Sequence, residues 1–326
     1  MKVTKGYDFD DLLLVPKVSI INSRDDVDLS VTLDTLKLRI PIIASPMKGI
    51  ISPELMIEIS KLGGIGILHR FFERDTHENY QDVVDAIKSI RDECKNWGIS
   101  LALNDKWYNM LLDYSPAIMC IDVANGNIDS LRKYAHDIKS TISLHNYKTL
   151  LMTGNVATYD AARKLADSGV DMIRVGIGNG ALCTTRNITG VGIPQLTALD
   201  NCGNIDAYIV CDGGIRNSGD AVKALAMGAD LIMMGTPFAR TYESANNGII
   251  YGQASRKLQE EYYHSVKSVE GLEKEVEKDI SLKDFISEFT WGMRSAFTYL
   301  NAKDIKELQK NATWVETGTG SIKKLA

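Results

Sequence analysis

The chain has 326 residues, 44% of them hydrophobic and 24% charged, with a formal net charge of -5. That length builds a core without disulfide or metal staples, and the balance excludes collagen, a coiled coil and a disordered chain. With no basic block there is no electrostatic footprint for nucleic acid or for an anionic membrane, so a phosphorylated ligand needs a site built locally.

The opening MKVTKGYDFDD turns acidic before any apolar run develops, and no later apolar run reaches membrane-spanning length. A cytoplasmic protein is expected. The five cysteines (Cys94, Cys120, Cys183, Cys202 and Cys211) are odd in number, include no C-x-x-C and sit mostly inside apolar runs, as free thiols in a reducing compartment do. The five histidines (His69, His77, His136, His145 and His264) show no H-E-x-x-H and no pairing with cysteine at metal-ligand spacing, so neither zinc nor iron is expected.

In chain order, eight short apolar runs recur: 41–47, 63–70, 98–104, 117–126, 148–155, 171–178, 207–214 and 230–237. Helical three- and four-residue periodicity fills 53–62, 81–93, 128–140, 158–169 and 219–229 between them. Continuous apolar strands alternating with amphipathic helices imply a parallel sheet buried on both faces. Eight such units suit a closed (β/α)8 barrel of the α/β class better than an open sheet. No composition shift marks a linker, so residues 1–326 are expected to form one barrel with no inserted domain. The polar, glycine-punctuated stretch 239–279 reads as an excursion over the barrel mouth, a flap, followed by helices over 281–300 and 303–311 and a glycine-rich tail.

Ligand sites in such a barrel lie at the carboxyl ends of the strands. Polar and reactive residues stand there: Ser45, Met47, His69, Arg70, Asn104, Asp122, Asn125, Asn155, Asp212 and Gly235. The stretch RVGIGNGALCTTR (174–186) carries Cys183 behind glycines that permit positive φ, so its backbone can ring a cation with carbonyls or cradle an anion with amides. A thiol there, beside Thr184 and Thr185, reads as a nucleophile with proton-handling neighbours. In CDGGIRNSGDA (211–221), Asp212 could accept from ribose hydroxyls while the amides of Gly213 and Gly214 meet a phosphate; a capped glycine turn fits as well. Asp122 and Asn125 in DVANG are either an Asx-closed turn or a ligand contact. Glu270, on the flap, reads from the residues alone as a solvated acid.

With these residues assembled, the chain resembles the family of inosine monophosphate dehydrogenases and guanosine monophosphate reductases. The likeness runs almost end to end, through GYDFDDLLLVP, IIASPM, GGIGILHRF, DVANG, TGNV, GIGNGALCTTRNITGVGIPQL, CDGGIRNSGD, MMGTPFA, YGQAS and VEG. The cysteine followed by two threonines behind a glycine loop is its most specific motif. The resemblance implies a (β/α)8 barrel, a purine nucleotide substrate (GMP or IMP), NADPH and a potassium ion as cofactors, and a homotetramer. It implies that Cys183 attacks C2 of the purine, with Thr185 and Glu270 handling protons. It implies a nucleotide site from Ser45, Met47, Asp212, Gly213, Gly214, Gly235 and Gly271, a cofactor site from Asp122, Asn125, Asn155 and Lys267, and potassium on the carbonyls of Gly176, Gly178 and Cys183.

Within the family the chain is more similar to the reductases. The dehydrogenases use an arginine-tyrosine pair on the flap, and here no arginine occurs between Arg256 and Arg294. Their D-S-S is replaced by DVANG, and the glutamate of the reductase flap motif matches Glu270. Dehydrogenase action, or a non-catalytic nucleotide binder, stands as the alternative. Ala181, Asn179, Thr236, Gln253 and Arg70 depart from the family pattern and leave a modified purine nucleotide open as substrate.

Overall fold

The computed structural model describes residue 1, residues 3–72 and residues 81–317. His77 and the end of the glycine-rich tail lie outside them.

All eight apolar runs become strands: β1 (Ile42–Ala44), β2 (Ile65–Leu68), β3 (Gly98–Leu101), β4 (Ile118–Asp122), β5 (Leu150–Val156), β6 (Met172–Val175), β7 (Tyr208–Asp212) and β8 (Leu231–Met234). They pair in parallel in chain order, and β8 closes onto β1 with Ile232 opposite Ile42 and Met234 opposite Ala44. The fold is the expected (β/α)8 barrel. Every residue of β1, β2, β3, β4, β6 and β8 is buried, which explains why these strands read as continuous apolar runs rather than alternating ones.

Burial divides the apolar residues into two cores. Ile43, Ile67, Cys120, Met152, Met172, Val210 and Met233 fill the barrel interior, and Leu33, Leu36 and Leu38 of a hairpin (Val31–Leu33 with Leu36–Leu38) plug the end where the strands begin. Thr35 donates to the Lys148 carbonyl just before β5, which fixes the plug at that end. The other core lies between strands and helices. With the amino end of the barrel filled, the carboxyl end is the one available for a site.

Helices form where the periodicity places them, with caps the sequence encodes. Pro53–Leu62 starts on the Ser52 hydroxyl, which accepts from Leu55 N–H at 3.0 Å, and stops at Gly63 with φ +98°. Ser218–Ala226 starts on Asn217. Two places differ from expectation. The β3–β4 connection holds only Tyr108–Leu112, and Gln195–Cys202 is a helix with no amphipathic signature, because five of its eight residues are buried. The 239–279 excursion contains an antiparallel pair, Ile249–Tyr251 with Glu273–Glu275, whose exposed Glu-Lys-Glu strand carries no strand pattern.

The helix Leu282–Tyr299 closes the outer layer against Ser218–Ala226. At their contact a Cβ on Gly292 would lie 2.5 Å from Ser218 Oγ, which itself donates to the Phe289 carbonyl at 2.8 Å. Gly292→Val is expected to force these helices apart and destabilise the fold by about 1–3 kcal/mol, seen as a lower urea midpoint with an unchanged slope.

Candidate active site at the carboxyl end of the barrel

Past β6 the chain must turn sharply beside the end of β7. Gly176 does so at φ +148°, where a Cβ would lie 2.1 Å from the Asp212 carbonyl oxygen, so only glycine fits. Gly178 follows at φ +78°. The loop then delivers Cys183 to the start of a short helix, Thr185–Thr189. Cys183 is partly exposed, whereas the other four cysteines are buried. Burial pushes the Cys94 thiol up to about 11, those of Cys120 and Cys202 to about 12, and that of Cys211 further still, so these four stay protonated at neutral pH.

The Cys183 thiol donates to Thr185 Oγ1 at 3.1 Å, and the Thr185 hydroxyl donates to Glu270 Oε2 at 2.8 Å. Glu270 arrives from 85 residues away because the excursion is stitched to the loop by backbone bonds. Thr184 N–H donates to the Glu270 carbonyl at 3.0 Å, and Leu272 N–H to that of Leu182 at 2.8 Å. Between them Gly271 lies against Ser255, where a Cβ would come within 2.9 Å of the Ser255 nitrogen. A thiol, a hydroxyl and a carboxylate in one chain of hydrogen bonds can move a proton away from sulfur and back.

Beside this chain stands a residue that the sequence reading does not single out. Arg174 in β6 is 5% exposed and bridges two acids. Its Nη1 donates to Asp122 Oδ1 at 2.6 Å, and its Nη2 and Nε to Asp212 Oδ2 at 2.7 and 3.1 Å. Asn155 Nδ2 donates to the same Asp212 oxygen at 2.7 Å and to the Gly176 carbonyl at 2.8 Å. Burial would lower the Arg174 pKa, but Asp212, with Asp122 helping, outweighs it and holds the guanidinium charged. Asp122 also faces Arg70 Nε at 3.6 Å, and the Arg70 guanidinium reaches the Tyr263 hydroxyl of the excursion at 3.3 and 3.4 Å. The signal for Arg174 was a charged residue inside an apolar strand buried on both faces, which demands a partner.

Two further turns complete the mouth. Gly213 and Gly214 both have positive φ, and a Cβ on Gly213 would sit 3.2 Å from the Gly180 nitrogen, so the turn after β7 rests on the Cys183 loop. After β8, a Cβ on Gly235 would be 2.4 Å from Met47 Sδ and 3.6 Å from Ser45 Cβ, which gathers Ser45, Met47 and Gly235 at one place. Gln253 Nε2 ties the excursion to the Pro46 carbonyl at 2.9 Å. Thr236 opens a 3₁₀ turn, Thr236–Arg240, Ala181 is exposed, and Asn179 donates its amide to Gln195.

Among the described residues, Asn125 and Lys267 show local hydrogen bonds. Asn125 is exposed and its Oδ1 accepts from Asn127 N–H at 3.0 Å, the Asx bond of a turn. Lys267 is exposed, and its backbone N–H donates to Gln259 Oε1 at 2.9 Å. Asn104 takes a left-handed φ of +61°. His69 is a packed residue: its Nδ1 accepts from Phe71 N–H at 3.1 Å and its ring stacks 4.7 Å from that of Phe72.

Residues 6–324 match the model of the IMP dehydrogenase / GMP reductase domain. A protein named GMP reductase from Onchocerca volvulus is 33% identical over 334 residues, with 94% of this chain and 90% of the relative covered. One of the same name from Lactobacillus johnsonii is 31% identical, with 94% and 93% covered. An inosine-5'-monophosphate dehydrogenase from Borreliella burgdorferi is 31% identical over 397 residues, with 99% and 97% covered. That alignment is longer than the chain itself, so this dehydrogenase carries sequence with no counterpart here.

Two measurements check the electrostatics. Arg174→Met leaves the buried Asp122 and the half-buried Asp212 without their shared cation, and is expected to cost about 3–5 kcal/mol in urea unfolding. Burial lowers the His69 pKa from 6.5 to about 4, so the unfolded chain takes up a proton in that window and the native one does not. Relative to His69→Gln, the protein is expected to lose about 3 kcal/mol as pH falls from 6.5 to 4, with no further loss below and none above 6.5.

Proposed function

The chain belongs to the IMP dehydrogenase / GMP reductase family, oxidoreductases that use a nicotinamide cofactor on purine nucleotides, and within it we propose that this protein is an NADPH-dependent GMP reductase. The observation that carries the reading is the hydrogen-bonded chain from Cys183 through Thr185 to Glu270. A reductase must expel ammonia, and a carboxylic acid one hydroxyl away from the sulfur is what that step needs.

In this reading Glu270 takes the thiol proton through Thr185, and the Cys183 thiolate adds to C2 of GMP. The same pair returns the proton to the 2-amino group, which leaves as ammonia, and a thioimidate remains on Cys183. When bound, NADPH would supply the hydride that C2 takes. The carbon–sulfur bond then breaks, the electron pair stays on Cys183, and IMP departs. One difficult displacement becomes two easier steps.

Asp212 is the acid for the ribose. Arg174 and Asn155 hold one of its oxygens, which orients the carboxylate. Gly213, Gly214 and Gly235 bring backbone to the phosphate, with Ser45, Met47 and Gly271 lining the nucleotide. Asp122, Asn125, Asn155 and Lys267 would hold the cofactor. The positive-φ turns at Gly176 and Gly178 suit a ring of carbonyls with Cys183 for potassium, the Gly176 carbonyl being shared with Asn155. The same reading makes residues 1–326 one catalytic barrel with 239–279 as its flap, acting in the cytoplasm as a homotetramer.

Dehydrogenase action has one observation on its side. Arg70 and Tyr263 form an arginine-tyrosine pair at the mouth, although its arginine comes from the end of β2 rather than from the excursion. Oxidation of NADPH with GMP and potassium is expected, with release of ammonia and IMP. Cys183→Ala is expected to abolish it, and Glu270→Gln to lower kcat by about 10²–10⁴. Reduction of NAD with IMP in place of that reaction would assign the dehydrogenase instead. Turnover only with an altered purine nucleotide would locate the difference at Ala181, Thr236 and Gln253.

A further inference from the structure

Arg186 lies three residues past Cys183 and has no task in the reaction as described. Its aliphatic stem covers two glycines: a Cβ on Gly178 would lie 2.6 Å from Arg186 Cγ, and one on Gly192 2.7 Å. Gly178 belongs to the loop entering the nucleophile and Gly192 to the loop leaving it. The guanidinium continues outward, with Nη2 donating to the Ile193 carbonyl at 2.7 Å and Nη1 reaching Asp8 Oδ2 at 3.4 Å. One side chain therefore touches the backbone on both sides of Cys183 and ends on the N-terminal arm.

The arm is itself tied to the nucleotide side of the barrel. Tyr7 N–H donates to Thr197 Oγ1 at 2.7 Å, and Asp8 Oδ1 accepts from Gln195 N–H at 3.3 Å. The buried Lys223 donates to the Phe9 carbonyl at 2.7 Å, and Arg216 forks onto Asp10 at 2.6 and 2.9 Å. Phe9 is 2% exposed and lies under the turn after β7, 3.3 Å from where a Cβ on Gly214 would be. Lys223 and Arg216 stand in and just before the helix Ser218–Ala226 that follows this turn. The segment Tyr7–Asp10 thus spans from the β7 turn to the strut on the nucleophile loop.

We propose that Asp8 is a positioning residue: through Arg186 it fixes the Cys183 loop against the β7 turn, which makes the N-terminal arm part of the reaction geometry. The Asp8 and Arg186 side chains are 37% and 35% exposed, and a pair so wet contributes little to global stability. Its effect is on placement, where a displacement of about 1 Å can change a rate by about 100-fold.

The proposal rests on Cys183 being the nucleophile, and its test does not need the substrate. In the full-length protein without nucleotide, the rate of Cys183 alkylation by iodoacetamide is followed across pH, with the modified residue located by mass spectrometry, for wild type, Asp8→Ala, Asp8→Asn and Asp8→Glu. Asp8→Ala is expected to slow alkylation at neutral pH by at least about threefold and to lower kcat by about tenfold with a smaller change in KM. Its melting temperature is expected to stay within about 2 °C of wild type, and Asp8→Glu to recover most of both rates. Unchanged alkylation in Asp8→Ala and Asp8→Asn overturns the proposal. So does a loss of both rates that tracks a collapse of the melting temperature in both variants. If wild type turns over no purine nucleotide while the Asp8 variants still slow alkylation, the functional reading fails and the positioning role stands.

Discussion

A single buried cation organises the upper layer of the barrel. Arg174 cannot reach water from β6, so its charge has to be met inside, and Asp122 from β4 and Asp212 from β7 meet it. Removing Arg174 would leave both acids without the cation they share, a far greater penalty than the loss of a surface pair. The ends of three strands are thereby locked in one arrangement. Asn155 at the end of β5 joins through the Asp212 oxygen, and Arg70 at the end of β2 joins through Asp122. The polar groups at the mouth stand in fixed orientation before any ligand arrives, which is the preorganisation that a site in a dry cavity requires.

The Cys183 loop depends on that frame. Gly176 can pass the end of β7 only because Asp212 and its backbone are held where they are and because glycine brings no Cβ into the contact. From this crossing the loop carries Cys183 outward, and the excursion after β8 meets it by strand-like backbone pairing at Leu182, Thr184, Glu270 and Leu272. Backbone pairing sets the spacing of the Cys183, Thr185 and Glu270 side chains more firmly than side-chain contacts alone would. It also joins the Cys183 thiol to a polar stretch of the chain. Residues that look solvated in sequence are therefore drawn over the mouth.

The eight strands were legible because a parallel sheet covered on both faces needs continuous apolar runs, and most of the helices because one apolar face imposes a three- and four-residue period. The helix Gln195–Cys202 escaped that reading for the same physical reason: it is covered on more than one side, so its period is lost. The Glu273–Glu275 strand escaped because an exposed edge has no apolar face to show. Cys183 and its glycines could be read locally, since positive φ and a thiol are properties of adjacent residues.

The sequence alone determined the barrel, the loop that bears the thiol and the family, because each is written in local spacing and in motifs a few residues long. Only the tertiary structure decided which charges meet. That Arg174 answers both Asp122 and Asp212, that Glu270 reaches Thr185 across 85 positions, and that Arg186 leans on Asp8 are contacts between residues far apart in the chain. A lone arginine in an apolar strand announces that it needs a partner. Which carboxylate answers is settled by strand order and barrel closure, which bring distant residues within about 3 Å.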